Sequence, residues 1–256
     1  MKKLNLTDKR KPDYFYSEAI KTLRTNIQLS GQSIKTILVT SCFPNEGKSD
    51  VVLSLAQELG SIGKKVLLLD ADIRKTAYAG RLGVEEEVKG LSQLLSGQVG
   101  LQDIIYETNF PNMDIIFGGP AAPNPSGLLS ENIFKVFLKE VREYYNYILI
   151  DTPPIGTVID AAVIGRCCDG AIFLIQPGSV IVSKKACTLS ATGISKYSVR
   201  KLNTAKNRPT LNRIQVNASH SASRTRPSRR SLTALSAYPI VIFNFSDLLL
   251  ILILKK

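Results

Sequence analysis

The sequence predicts an α/β fold: a doubly wound, mostly parallel sheet with helices on both faces. Short apolar runs recur along residues 35–178, and helix-like stretches separate them. The runs are apolar throughout rather than alternating, as strands covered on both faces are. Two of them end in Asp, and a third leads into a loop that ends Gly47-Lys48-Ser49.

The first helix is predicted over Tyr14–Ser30, where Ala19, Ile20, Leu23 and Ile27 fall at helical spacing. Strands are predicted at Thr36–Thr40, Val66–Asp70, Asp114–Phe117, Tyr147–Asp151 and Ala171–Ile175. Helices are predicted between them, at Ser49–Leu59, Gly90–Leu95 and Glu131–Tyr144. The stretch PAAPNP, Pro120–Pro125, reads as a loop. In such sheets ligands sit beyond the carboxyl ends of the strands.

The run SCFPNEGKS, Ser41–Ser49, follows Ile37-Leu38-Val39 and precedes VVLSLAQELG. A strand, a tight loop and a helix in that order make a phosphate cradle. Its backbone N–H groups and the positive end of the helix dipole attract an anion. Pro44, Asn45, Glu46, Gly47, Lys48, Ser49 and Asp50 are therefore the candidate nucleotide-binding stretch. Lys48 is suited to the β- and γ-phosphates and the Ser49 hydroxyl to Mg²⁺, so ATP and Mg²⁺ are the expected cofactors. The match to GxxxxGK[ST] departs at Cys42, which stands where the first Gly belongs.

The run Val66–Leu69 leads into Asp70-Ala71-Asp72-Ile73-Arg74. Carboxylates at i and i+2 share one side of an extended chain. The run Tyr147–Ile150 leads into Asp151-Thr152-Pro153-Pro154, where an Asp can hold Mg²⁺ directly or through water. A cradle, a lysine, a metal and a carboxylate near an acceptor hydroxyl are the parts phosphoryl transfer needs. Any one acidic strand end alone reads equally well as a helix N-cap.

Composition excludes other chemistries. One histidine, His220, removes most zinc and histidine-base schemes, and four cysteines, of which Cys167 and Cys168 are adjacent, lack metal-ligand spacing. Reduced thiols fit a cytoplasmic protein. The charged opening MKKLNLTDKRK has no apolar signal region behind it. The net charge of +12 is uneven. Residues 1–178 hold 19 Lys and Arg against 20 Asp and Glu, and residues 179–256 hold 14 against one, Asp247. A specific nucleic-acid partner is therefore not expected for the main domain.

Together SCFPNEGKS, LLLDADIRK and YILIDTPP resemble the bacterial tyrosine kinases that regulate capsule and exopolysaccharide synthesis. The resemblance spans Tyr14 to Gly178. EAIKTLR, Glu18–Arg24, resembles that family's ExxRxxR self-association motif, with Lys21 at the first Arg. GGPAAPNPSGLL, Gly118–Leu129, resembles its GPxPPNPSELL loop, with Gly127 where Glu is usual. The resemblance implies a P-loop NTPase fold and an ATP-dependent protein-tyrosine autokinase. It implies Lys48, Asp70, Asp72 and Asp151 as catalytic residues, with Asp70 the candidate for activating the tyrosine hydroxyl. Ser49, Asp72 and Asp151 are implied around the metal, and Arg74 reads either as a phosphate or acceptor contact or as an ion-pair partner. Implied partners are a transmembrane polysaccharide co-polymerase as activator, further copies of the chain through Glu18, Lys21 and Arg24, and protein tyrosine substrates. The expected place is the inner face of the cell membrane.

Two alternatives stay open from the sequence. A partitioning-type P-loop ATPase carries a second Lys five residues before the P-loop Lys, where this chain has Phe43. A nucleotide-dependent regulatory partner without kinase activity is the other.

The expected organisation is an N-terminal segment over 1–34, a nucleotide-binding kinase domain over 35–178, and a basic, poorly ordered tail over 179–256. No Glu follows Glu143, and Gly193 is the one Gly after Gly178. The break reads as a frameshifted or chimeric gene end, without the tyrosine cluster the resemblance implies, since only Tyr197 and Tyr238 follow Gly178. Loss of a regular last strand would leave Ala171–Ile175 as a sheet edge. The apolar run Ile240–Leu254 is shorter than the roughly twenty residues a membrane helix needs. It reads as a sticky terminus, free to collapse on that edge or on a bilayer surface.

Overall fold

The computed structural model describes residues 2–75 and 78–175, together with strands over 240–245 and 248–254. In chain order the elements are β1 (Lys2–Leu4), α1 (Tyr14–Leu29), β2 (Thr36–Ser41), α2 (Lys48–Ser61), β3 (Val66–Asp70) and α3 (Tyr78–Arg81). Then come α4 (Leu91–Leu95), β4 (Tyr106–Thr108), β5 (Met113–Ile116), α5 (Pro125–Ser130) and α6 (Asn132–Arg142). The last are β6 (Tyr147–Asp151), α7 (Asp160–Gly165), β7 (Gly170–Ile175), β8 (Ile240–Phe245) and β9 (Leu248–Leu254).

The strands form one sheet in the order β1-β4-β5-β3-β6-β2-β7-β9-β8. Strands β5, β3, β6, β2 and β7 run parallel to one another. β6 is inserted between β2 and β3, which brings three strand ends of chemical interest side by side. The five predicted strands all form, with ends shifted by at most one residue.

Each central strand buries both faces, and alternate residues enter separate cores. Ile37, Val39, Val66, Leu68 and Leu149 pack with Leu23 and Ile27 of α1 and with Leu55 and Leu59 of α2. Leu38, Leu67, Leu69, Ile148 and Ile150 pack on the other face with Phe134 and Val141 of α6 and Ile164 of α7. Burying one such side chain contributes about 1.5–3 kcal/mol. The predicted face of α1 is the buried one: Ala19, Ile20, Leu23 and Ile27, with Asp13 accepting a hydrogen bond from the Tyr16 N–H at 2.7 Å as its N-cap.

Two expectations are corrected. The loop expected over Pro120–Pro125 ends at Asn124, because Pro125 opens α5 and Asn124 accepts from the Gly127 N–H at 3.2 Å. β7 is not an edge: β9 runs antiparallel to it, from Gly170 opposite Leu254 to Ile175 opposite Leu249, and β8 then pairs with β9. Residues 240–245 and 248–254 therefore extend the sheet at the edge on which the apolar run was expected to collapse. The expectation of a poorly packed stretch between Arg200 and Arg230 lies outside the described residues.

Candidate active site

β2 ends at Ser41, and the chain turns through the loop to α2. The Ser41 hydroxyl donates to the Phe43 carbonyl at 2.8 Å, and the Phe43 N–H donates to Glu46 Oε2 at 2.8 Å. Asn45 and Gly47 both take positive φ, 63° and 83°. Gly47 is the N-cap of α2, so the left-handed turn that aims the helix start at the cradle falls on the residue that adopts it without strain. Cys42 has no left-handed backbone, which explains why a side chain is tolerated where the motif has Gly. Lys48 and Glu46 are buried.

The acidic strand ends converge on this loop. Val39 lies opposite Asp151 across β2 and β6, and Asp70 lies opposite Asp151 across β3 and β6. Opposed residues in parallel strands share a face, and here it is the face covered by α2. Asp70 and Asp151 are both buried. Asp151 Oδ1 is sealed from solvent and has no hydrogen-bond partner among the described residues. Burial pushes the Asp151 carboxyl up to about 6; the Ser49 hydroxyl, the Lys48 ammonium and the Tyr78 phenol oppose that rise, and the nearby Asp72 charge adds to it. A buried carboxylate oxygen without a partner, beside Ser49 and a phosphate-type loop, is a fit for one edge of a Mg²⁺ site. Mg²⁺ takes one or two protein oxygens and completes its shell with water and phosphate.

The structure brings Lys48, Ser49, Asp70 and Asp151 together. Asp72 lies just beyond, because the strand stops at Asp70 and the chain turns there. Asp70 Oδ1 accepts from the Asp72 N–H at 3.0 Å, and Asp72 Oδ1 accepts from the N–H groups of Arg74 and Lys75 at 3.2 and 3.1 Å. Alternation along an extended chain therefore accounts for Asp70 but not for Asp72. Of the two readings of Arg74, the ion pair is the one formed, with Asp160 at 2.7 Å. Asp50 engages Arg81 and Arg10. Glu18 and Lys21 pair with each other at 2.8 Å on α1, and Arg24 of α1 pairs with Glu58 of α2 at 2.5 Å, so none of the three reaches this site.

Sequence reasoning missed three residues. Tyr78 is fully buried, and its hydroxyl donates to the Ser49 carbonyl at 3.2 Å. A lone aromatic in the polar stretch RKTAYAGR was its signal. Gly156 lets the chain after Asp151 touch the loop, since a Cβ there would meet the Cys42 carbonyl oxygen at 2.3 Å. Asp160 had no signal beyond its place at a helix start.

A parallel sheet with a phosphate-binding loop after its central strand and an acid on the neighbouring strand defines a P-loop nucleotide-binding protein. A family model described as an AAA domain matches residues 35–212. The tyrosine-protein kinase CpsD of Streptococcus agalactiae serotype III (strain NEM316) is 42% identical over 163 residues, 64% of this chain and 70% of that protein. Among solved structures, the chimerical protein CapA2B2 superposes with a TM-score of 0.60 at 30% identity, covering 66% of this chain and 77% of the other. The kinase domain of the Escherichia coli tyrosine kinase ETK superposes with a TM-score of 0.57 at 32% identity, covering 60% of each. The chain belongs to the bacterial tyrosine kinase family, within the AAA-type P-loop proteins.

Proposed function

We propose that this chain transfers the γ-phosphoryl group of ATP to tyrosine hydroxyls, its own or another protein's, in the control of capsule or exopolysaccharide synthesis. The observation that carries the reading is the register of Asp70 opposite Asp151, beside the loop that bears Lys48 and Ser49. ATP hydrolysis alone does not require a second strand-end carboxylate. A phenol, with a pKa near 10, needs a base close to its proton.

The roles follow from position. The N–H groups from Asn45 to Ser49 and the α2 dipole hold the phosphates. Lys48 neutralises charge that develops on the bridging and terminal oxygens. Ser49 and Asp151, with Asp72 nearby, are the residues that would hold Mg²⁺, which supplies charge neutralisation when bound. Asp70 orients the tyrosine hydroxyl and takes its proton, and burial of the strand ends keeps water from competing.

Tyr14 and Phe15, both largely exposed, extend the α1 face that carries Glu18 and Lys21. That face suits association with further copies. The family relationship supports an activating membrane partner, a polysaccharide co-polymerase. No helix among the described residues is long and apolar enough to cross a membrane, and membrane placement at the inner face would come through that partner.

The test is Asp70→Asn assayed with an exogenous tyrosine peptide. We expect phosphotyrosine formation to fall at least a hundredfold while ATP affinity changes less than threefold. Lys48→Met should instead abolish stabilisation by ATP. Phosphotyrosine formation at the wild-type rate by Asp70→Asn would remove the assignment.

A further inference from the structure

The acidic loop after β3 is tied down by a cluster that the phosphoryl-transfer scheme does not use. Arg74 Nε donates to Asp160 Oδ2 at 2.7 Å, and one terminal nitrogen of Arg74 donates to Asp160 Oδ1 at 3.0 Å. The same nitrogen donates to the Ser126 hydroxyl at 2.8 Å, and that hydroxyl donates to Asp160 Oδ1 at 2.7 Å. The three side chains close a ring. Asp160 is fully buried in the first turn of α7, and its carboxyl is held below the usual range: the hydrogen bonds from Arg74 and Ser126 outweigh desolvation. Ser126 lies in the first turn of α5, within the NPSGLL stretch. Three segments that follow three different strand ends thus meet at one carboxylate.

We infer that Arg74, Asp160 and Ser126 form a latch that positions Asp70 and Asp72, and that Arg74 acts through this latch rather than by touching phosphate or acceptor. The backbone supports the assignment. The Ala122 N–H donates to the Ile73 carbonyl at 3.0 Å, and the Ala71 N–H donates to the Asp151 carbonyl at 2.9 Å. The loop is therefore pinned to β6 on one side and to the segment before α5 on the other, with Arg74 as its third fixed point. Asp72 caps the N–H of Arg74 itself, so the backbone that carries the latch also carries the second carboxylate. A bidentate guanidinium fixes orientation as well as distance, which a lysine cannot reproduce. Misplacing a reacting group by about 1 Å costs about a hundredfold in rate.

The catalytic readout of this inference rests on the proposed tyrosine kinase activity; the structural readout does not. Arg74→Lys, Asp160→Asn and Ser126→Ala are compared with wild type in the full chain. Ser126→Ala removes one hydroxyl and keeps the inference testable if Asp160→Asn does not fold. With an exogenous tyrosine peptide, we expect kcat to fall at least tenfold in Arg74→Lys and Asp160→Asn and about threefold in Ser126→Ala. ATP affinity should stay within twofold. Full activity in Asp160→Asn with loss in Arg74→Lys would mean that Arg74 touches substrate, and would overturn the latch. A parallel loss of ATP affinity and kcat in all three would reduce the cluster to general stability and overturn it equally. Amide hydrogen exchange, measured without nucleotide, decides the matter even if the wild type phosphorylates nothing. The latch predicts exchange at least tenfold faster over residues 70–75 and 124–127 in Asp160→Asn or Ser126→Ala, with β2 and β6 unchanged. Unchanged exchange over residues 70–75 overturns the proposal.

Discussion

Replacing Asp151 by Asn should make the nucleotide-free chain more tolerant of neutral pH. The folded carboxyl is raised from 3.8 to about 6, so the folded state holds this proton more tightly than the unfolded chain does. The sign follows: stability is lost as pH rises through the window between these two values, and the whole cost is present above about 6. The shift is close to two units, which at 1.36 kcal/mol per unit is about 3 kcal/mol. Asn carries no charge and avoids that cost. Its amide N–H₂ replaces an oxygen that has no partner, a penalty of about 1–3 kcal/mol that does not change with pH. The comparison across pH is therefore the clean quantity. The unfolded carboxyl is already more than half ionised at pH 4, so the stability difference, variant minus wild type, should rise by about 2 kcal/mol between pH 4 and pH 8 in urea denaturation without Mg²⁺ or nucleotide. Added Mg²⁺ and ATP should then stabilise the wild type and leave the variant behind. A difference that stays flat between pH 4 and pH 8 would refute the reasoning.

Three further outcomes follow from contacts described above. Gly156→Ala drives a Cβ against the Cys42 carbonyl, which should cost about 1–3 kcal/mol and weaken ATP binding in a titration; wild-type affinity would show that the loop yields freely. Tyr145→Phe removes the 2.7 Å hydrogen bond to Asp114 Oδ2 and leaves a buried carboxylate oxygen unpaired. It should lower stability by about 1–3 kcal/mol in denaturant unfolding. Limited trypsin treatment tests the domain division: first cleavage between Lys196 and Arg230, leaving an N-terminal fragment, supports a boundary near residue 178, and protection of that stretch argues against it.

The central sheet was legible because its strands are buried on both faces and so stand out as unbroken apolar runs. Val66–Asp70 and Tyr147–Asp151 form with the predicted ends. β1 and β4, at three residues each, are too short to show a period, and β1 depends on distant chain, with Lys2 opposite Tyr106 of β4. The loop of Ser41–Ser49 was legible because its chemistry is local. Tyr78 and Asp160 were not, because their roles depend on partners 29 and 86 residues away, Ser49 and Arg74. On α1, Glu18 and Lys21 pair with each other, whereas Arg24 reaches across to Glu58 and is largely covered, a partner that no local spacing announces.

The pairing of β9 with β7 sets a timetable for synthesis. β7 ends at Ile175 and β9 begins at Leu248, so roughly seventy residues must be made before the partner strand exists. At about 5–20 residues per second, that interval lasts about 4–15 s. Through it the nascent sheet presents the row of unpaired N–H and C=O groups along β7 to whatever is nearby. The entropic cost of pairing strands grows only slowly with their separation in sequence, so the hazard is one of time more than of equilibrium. Truncation anywhere before residue 248 makes that waiting state permanent. Such a chain should keep its phosphate loop and gather at the β7 edge, and chaperone capture on the ribosome would be most needed in that window.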